Sequence, residues 1–292
     1  MTCNERLLDR ARDSLMAILK TNTKYAQGHR ISAARASEIA QRQMHPFRKY
    51  LLRLLDPESV ELFQPEKLVG FSEFRQFYEK WSGRPKEMST EICWHVIRVH
   101  IEGSEAGQPN SSIKPDDYEE IPRRERTISE EDYELVAKTV WPWYEELCRK
   151  NGYWDDQMLV RHLLTRRLEP GQIAALLLDE AQDLTRLELQ MVLRLTQYTR
   201  YDLSRVPYVD TLPFVIAGDP FQTLNPTGFR ASGLCSIFFN EVSSCLDPDR
   251  RWDIKLRVSE MSKNYRSAKA IVHLSNLVQL TRRALFRHEE RV

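Results

Sequence analysis

The stretch Ile173-Ala174-Ala175-Leu176-Leu177-Leu178-Asp179-Glu180-Ala181-Gln182-Asp183 decides how this chain reads. A short, continuous apolar run follows Pro170-Gly171 and ends abruptly in two acids. Such a run suits a parallel strand covered on both faces. Acids at the C-terminal end of that strand lie at the crevice where open α/β sheets bind ligands. Burying an unpaired carboxylate costs on the order of several kcal/mol. Adjacent Asp179 and Glu180 therefore require a metal ion, a base or water to offset them. The plainer reading is an Asp-Glu pair that opens a loop.

Outward from that stretch, Phe214-Val215-Ile216-Ala217 is a second apolar run, ending in Gly218-Asp219-Pro220-Phe221-Gln222. Between the two runs, Thr185-Arg186-Leu187-Glu188 has the form of a capping box. It opens a helix that carries Leu187, Met191, Val192 and Leu195. Ile254, Leu256 and Val258 alternate with Lys255 and Arg257, which predicts a third strand. Asn264-Tyr265-Arg266-Ser267 follows it, and then a helix through Ile271, Leu274 and Val278. Strand–helix alternation argues for an α/β core over residues 151–292.

Residues 1–150 read as mostly helical. Periodic apolar positions predict helices over 5–20, 33–55, 71–81, 89–102 and 129–150, with Pro46 breaking the second and Pro57 stopping it. Residues 103–128, rich in Gly, Pro, Asn and Ser, form the best loop or linker. The basic run within it, at 123–126, reads as a solvated loop. A second basic cluster, Arg42, Arg48, Lys49 and Arg53, reads as a solvated helix face.

Composition narrows the classes. Of 292 residues, 41% are hydrophobic and 10% aromatic, enough for a sizeable core. No apolar run approaches the ~20 residues of a membrane helix. Glycine is only 10 of 292, which disfavours collagen-like or propeller architectures. The formal net charge of +1 means that any nucleic-acid-binding surface has to be local. Five cysteines, with no CxxC pair and no zinc-ligand spacing, read as reduced thiols of an intracellular protein, nuclear or cytoplasmic. The seven histidines form no ligand spacing either.

The three strand-end motifs, Asp179-Glu180-Ala181-Gln182-Asp183, Gly218-Asp219-Pro220-Phe221-Gln222 and Asn264-Tyr265-Arg266-Ser267, together resemble motifs II, III and IV of UvrD-like superfamily 1 helicases. The likeness is strongest over about residues 150–275. Tyr153-Trp154-Asp155-Asp156-Gln157-Met158-Leu159 resembles the aromatic–acidic segment upstream of motif II, and Met1-Thr2-Cys3-Asn4-Glu5-Arg6-Leu7 resembles motif Ia.

That resemblance implies a RecA-like, P-loop NTPase-type parallel sheet, partial here, with a large helical insertion subdomain. It implies ATP and Mg²⁺ as cofactors and single-stranded nucleic acid, DNA above all, as partner. By matching position, Asp179 would bind Mg²⁺, Glu180 would activate water, and Gln182 would order the phosphate network. Gln222 would sense the γ-phosphate. Tyr265 would stack on adenine, and Arg266 would act as an arginine finger. Thr2 and Asn4 would touch the nucleic-acid backbone, with Asn4 equally readable as a helix N-cap. Phe229 would supply a base-stacking surface in place of the family's aromatic, which is Asn225 here.

The chain departs from that family in one decisive place. It contains no GxxxxGK[ST] and no Gly-Lys dipeptide. On the resemblance, the P-loop and a second RecA-like domain are expected from flanking sequence, and this chain alone is expected to be inactive. The alternative is a degenerate helicase-like scaffold or regulatory binding module without ATPase activity. A third reading is an NTPase whose partner is not nucleic acid.

Overall fold

Asp56, Ser89, Ser129, Asp155 and Thr185 each start a helix by accepting backbone N–H groups that the first turn leaves open. In the computed structural model, residues 5–22, 32, 34–35, 37–38, 46–104, 118, 126, 128–166, 173, 175–196, 214–219, 231–245, 256–259, 261 and 263–285 are described. In chain order the elements begin with α1 (Glu5–Asn22), α2 (Phe47–Leu52), α3 (Pro57–Val60), α4 (Phe71–Lys80) and α5 (Thr90–His95). A π-helical turn, Val96–Ile101, continues α5. Next come α6 (Glu130–Leu135), a second π-helical turn (Val136–Val140), α7 (Trp141–Asn151) and α8 (Asp156–Thr165). Then follow β1 (Leu176–Leu178), α9 (Arg186–Arg194), β2 (Phe214–Ile216), α10 (Ala231–Glu241) and α11 (Lys269–Leu285).

The chain divides into two compact units, Met1–Gly70 with Cys148–Arg166, and Phe71–Leu147 with Arg167–Val292. In the first, Pro46 precedes α2, and Pro57 opens α3 at its first turn behind the N-cap Asp56. Pro57 thus starts a helix as well as following one, because a first-turn N–H has no helical partner to lose. The core of this unit gathers Leu51, Phe63, Val69, Trp154, Leu159 and Leu163. Phe63 meets Trp154 edge-on with ring centroids 5.3 Å apart. The Trp154 indole donates to the Gln64 carbonyl at 2.7 Å. Arg48 clamps Asp156 through two bonds of 2.5 and 2.7 Å.

In the second unit, Phe74 and Tyr78 sit one helical turn apart on α4 and are both buried. They anchor an aromatic cluster with Trp81, Trp94, Trp143 and Tyr144, in which the Trp81 and Trp143 rings stack 4.5 Å apart. The two π-helical turns pack on each other. They bury Val96, Ile97, Ile101, Val136 and Val140. Tyr118 lies over Tyr133 with centroids 3.9 Å apart.

The α/β expectation is corrected here. Among the described residues the protein is mostly helical, and its sheet has two strands of three residues each, β1 and β2, paired in parallel as Leu176–Phe214, Leu177–Val215 and Leu178–Ile216. This is not a RecA-like sheet. The third strand expected around Leu256 is absent among the described residues, where 256–259 carry no regular secondary structure and Val258 is 60% exposed. Alternation of apolar and polar residues marks a strand only where a neighbour offers a ladder. The two apolar runs also fail to be covered on both faces. Leu176 is buried, but its neighbour Leu177 is 79% exposed and the facing Val215 is 57% exposed.

Candidate functional site

The strand-end loops are built from side chains that bond to one another. β1 runs into Asp179 and Glu180, and a single 3₁₀ turn, Ala181–Asp183, follows. Glu180 adopts the left-handed conformation (φ 55°, ψ 39°), the only non-glycine residue with positive φ among those described. That conformation costs an L-residue roughly 1–2 kcal/mol. Local bonds hold it in place. Asp179 Oδ1 accepts the Glu180 N–H at 3.0 Å, and the Glu180 carboxylate accepts from Gln182 Nε2 at 2.5 Å.

Gln182 is fully buried and reaches across to the second loop, where its Oε1 accepts the Asp219 N–H at 3.0 Å. Backbone bonds run alongside, from Ala217 N–H to Leu178 O at 2.8 Å and from Ala181 N–H to Ala217 O at 2.9 Å. Gly218 makes the crossing possible, because a Cβ there would stand 2.9 Å from Gln182 Oε1. The turn then feeds α9 through the capping box expected from the sequence, in which Thr185 and Glu188 satisfy each other's backbone N–H. Glu188 also receives Arg98 at 2.9 Å.

This geometry bears directly on the predicted roles. Asp179 and Glu180 are both exposed, so water solvates them and burial demands no counter-ion. Among the described residues, no group of three or more His, Cys, Asp or Glu is placed to hold a metal ion. The structure brings Glu180, Gln182 and the Gly218-Asp219 turn together. Among the described residues it does not bring in the third motif. Tyr265 is 88% exposed and Arg266 is exposed. There, Asn264 Oδ1 accepts the N–H groups of Arg266 and Ser267, both at 2.9 Å, as a turn-closing side chain does. Gln222, Phe229, Thr2 and Asn4 lie outside the described residues. The aromatic–acidic segment has structural work in its own unit: Trp154 is core, and Asp155 caps α8 by accepting from Gln157 and Met158.

Sequence reasoning gave Gln182 a role toward phosphate and did not see it as the tie between two turns. No pattern along the chain signals that tie, since its partner is a backbone amide 37 residues away.

Comparison with known proteins corrects the helicase resemblance. No family model matches the chain, and no solved structure matches it. Among curated proteins, the human "TPR and ankyrin repeat-containing protein 1" is 23% identical over 220 residues, 73% of this chain. The chain spans only 7% of that relative's length. The three short motifs are a small part of the chain, and they are rich in Asp, Gly, Asn and Pro, types that turns favour for local reasons.

Proposed function

We propose that this chain is a non-catalytic binding module, a scaffold or regulatory segment without ATPase activity of its own. The observation that carries the reading is the bond from Gln182 to Glu180 and to the Asp219 amide. It uses the side chains best suited to phosphate chemistry to hold two turns together. The absence of a Gly-Lys dipeptide, and so of a P-loop lysine, supports the same reading for this chain. So does the distant likeness to a protein named for TPR and ankyrin repeats, since both repeat types are stacked scaffolds that present extended binding surfaces.

The test is steady-state phosphate release by the purified chain with ATP and Mg²⁺, with and without single-stranded DNA. The expected result is no turnover above buffer and no saturable ATP binding. Turnover that disappears in Glu180→Gln would overturn the reading.

A further inference from the structure

The helix α11 exposes apolar residues over its whole length. Ile271, Leu274, Leu277, Val278 and Leu280 are each 60–65% exposed. At helical spacing they fall within about half of the circumference, together with Thr281 and His273. Val272 and Gln279 are the two residues of intermediate exposure, and they lie on the opposite side. Every other described side chain of the helix is exposed, so its apolar face is uncovered. Scattered exposed apolar residues are ordinary on any surface, but a contiguous face of five is not.

Charge identifies what fits there. From Met261 to Leu285 the chain carries Lys263, Arg266, Lys269, Arg282 and Arg283 and no carboxylate. A second copy would set like charges against each other, which disfavours self-pairing through this face. A helix lying on an anionic bilayer carries Lys and Arg along its polar face and aromatic residues on the other. In α11 the middle of the polar side is Ser275, Asn276 and Gln279, and no Trp, Tyr or Phe occurs. Its cations stand at the two ends and bracket the apolar stripe. That layout matches an amphipathic helix taken into an apolar groove with an acidic rim.

We propose that α11 is a helix-in-groove docking element for an acidic protein of the calcium-sensor type. Ile271, Leu274 and Val278 are the anchors, and the positive charges at the two ends of the helix, Lys269 at one and the Arg282-Arg283 pair at the other, match an acidic rim. Proteins of that class open an apolar groove when they bind Ca²⁺. The inference rests on the binding-module reading above and names its surface and partner class.

Calmodulin is the probe, titrated calorimetrically with the full 292-residue chain in Ca²⁺ and again in EGTA. The expected result is saturable one-to-one binding in Ca²⁺ that is lost in EGTA. It should weaken at least tenfold in Leu274→Glu/Val278→Glu, and also in Arg282→Glu/Arg283→Glu. Leu274 and Val278 are exposed, and circular dichroism checks that each variant keeps its helicity. No Ca²⁺-dependent binding, or binding indifferent to both variants, overturns the proposal. Co-sedimentation with phosphatidylserine/phosphatidylcholine vesicles in place of calmodulin binding also overturns it, as does dimerisation abolished by Leu274→Glu/Val278→Glu. ATP turnover would instead remove the binding-module reading, so the two failures are distinguishable.

Discussion

Arg194 of α9 and Glu241 of α10 meet as a two-pronged ion pair, Nε to Oε2 at 2.6 Å and Nη2 to Oε1 at 3.0 Å. Gln190 adds a third bond to Oε1 at 2.6 Å. Both charged side chains are largely buried, 12% and 7% exposed. Removing one partner strands the other charge. Glu241→Ala is expected to destabilise the protein by about 3–5 kcal/mol, because the Arg194 guanidinium then stays buried without a counter-charge. The double variant Arg194→Met/Glu241→Leu removes both desolvation costs and should lie within about 1–2 kcal/mol of the parent. Urea unfolding of the parent, Arg194→Met, Glu241→Leu and the double variant reads the coupling directly.

The tie between the two strand-end turns predicts a non-additive pair. Gly218→Ala places a methyl group 2.9 Å from Gln182 Oε1, so the amide must swing away and release the Asp219 N–H. The expected cost is about 1–3 kcal/mol. Gln182→Ala loses the same bond and the one to Glu180, at a similar cost. In the double variant the clash with the side-chain amide is gone, a 3.3 Å approach to the backbone N of residue 182 remains, and the bonds are already lost. Its cost should therefore fall at least about 1 kcal/mol short of the sum of the two singles. Strict additivity in chemical denaturation would show that the two residues act separately.

Stability should fall on mild acidification. Burial lowers the pKa of His100 to about 3 and that of His95 to about 4. For His100, the neighbouring His95 and Arg186 push the same way. The two imidazoles meet edge-on at 5.5 Å, and His100 also lies edge-on to Tyr118 and Tyr133. Between about pH 6.5 and 4 the unfolded chain binds protons at both histidines and the folded protein does not. Stability is thus full above about pH 6.5 and declines as the pH falls, with a limiting slope near 1.4 kcal/mol per pH unit for each histidine. Thermal melts at pH 7 and pH 5 should differ by up to about 4 kcal/mol, and His95→Gln/His100→Gln should flatten most of that dependence. A flat profile in the parent would mean that both rings titrate normally.

Much of the secondary structure was legible because its signals are local. Apolar spacing foretold α1, α4, α5 and α11, and Thr185-Arg186-Leu187-Glu188 foretold the capping box of α9. The six-residue apolar run foretold β1 but not its surroundings. Leu177 is as apolar as Leu176, yet one is exposed and the other buried. Whether a second layer covers a strand depends on elements far away in sequence, which a strand's own residues do not encode. The surroundings of the two acids were hidden for the same reason. The inference from Asp179-Glu180 to a metal depended on burial, and both acids are exposed. The tie through Gln182 joins residues 37 positions apart and has no periodic signature.

Tyr118 offers the sharpest separation of packing from hydrogen bonding. It is fully buried, stacked on Tyr133 with planes 6° apart, and its O–H donates to the Ile128 carbonyl at 3.1 Å. The Arg126 guanidinium stands 5.6 Å from its ring centroid. Burial raises its pKa, so the phenol remains the donor throughout the range in which the protein is handled. Tyr118→Phe keeps the ring and loses one bond, leaving the Ile128 carbonyl short of a donor, and about 1 kcal/mol is expected. Tyr118→Ala removes the ring from a closed aromatic contact and leaves a cavity against Tyr133 and His100. A cost of about 3–5 kcal/mol follows from that loss, together with a weaker near-ultraviolet circular dichroism signal. Equal effects of the two variants would mean that the hydroxyl, and not the stacked ring, holds Tyr118 in place.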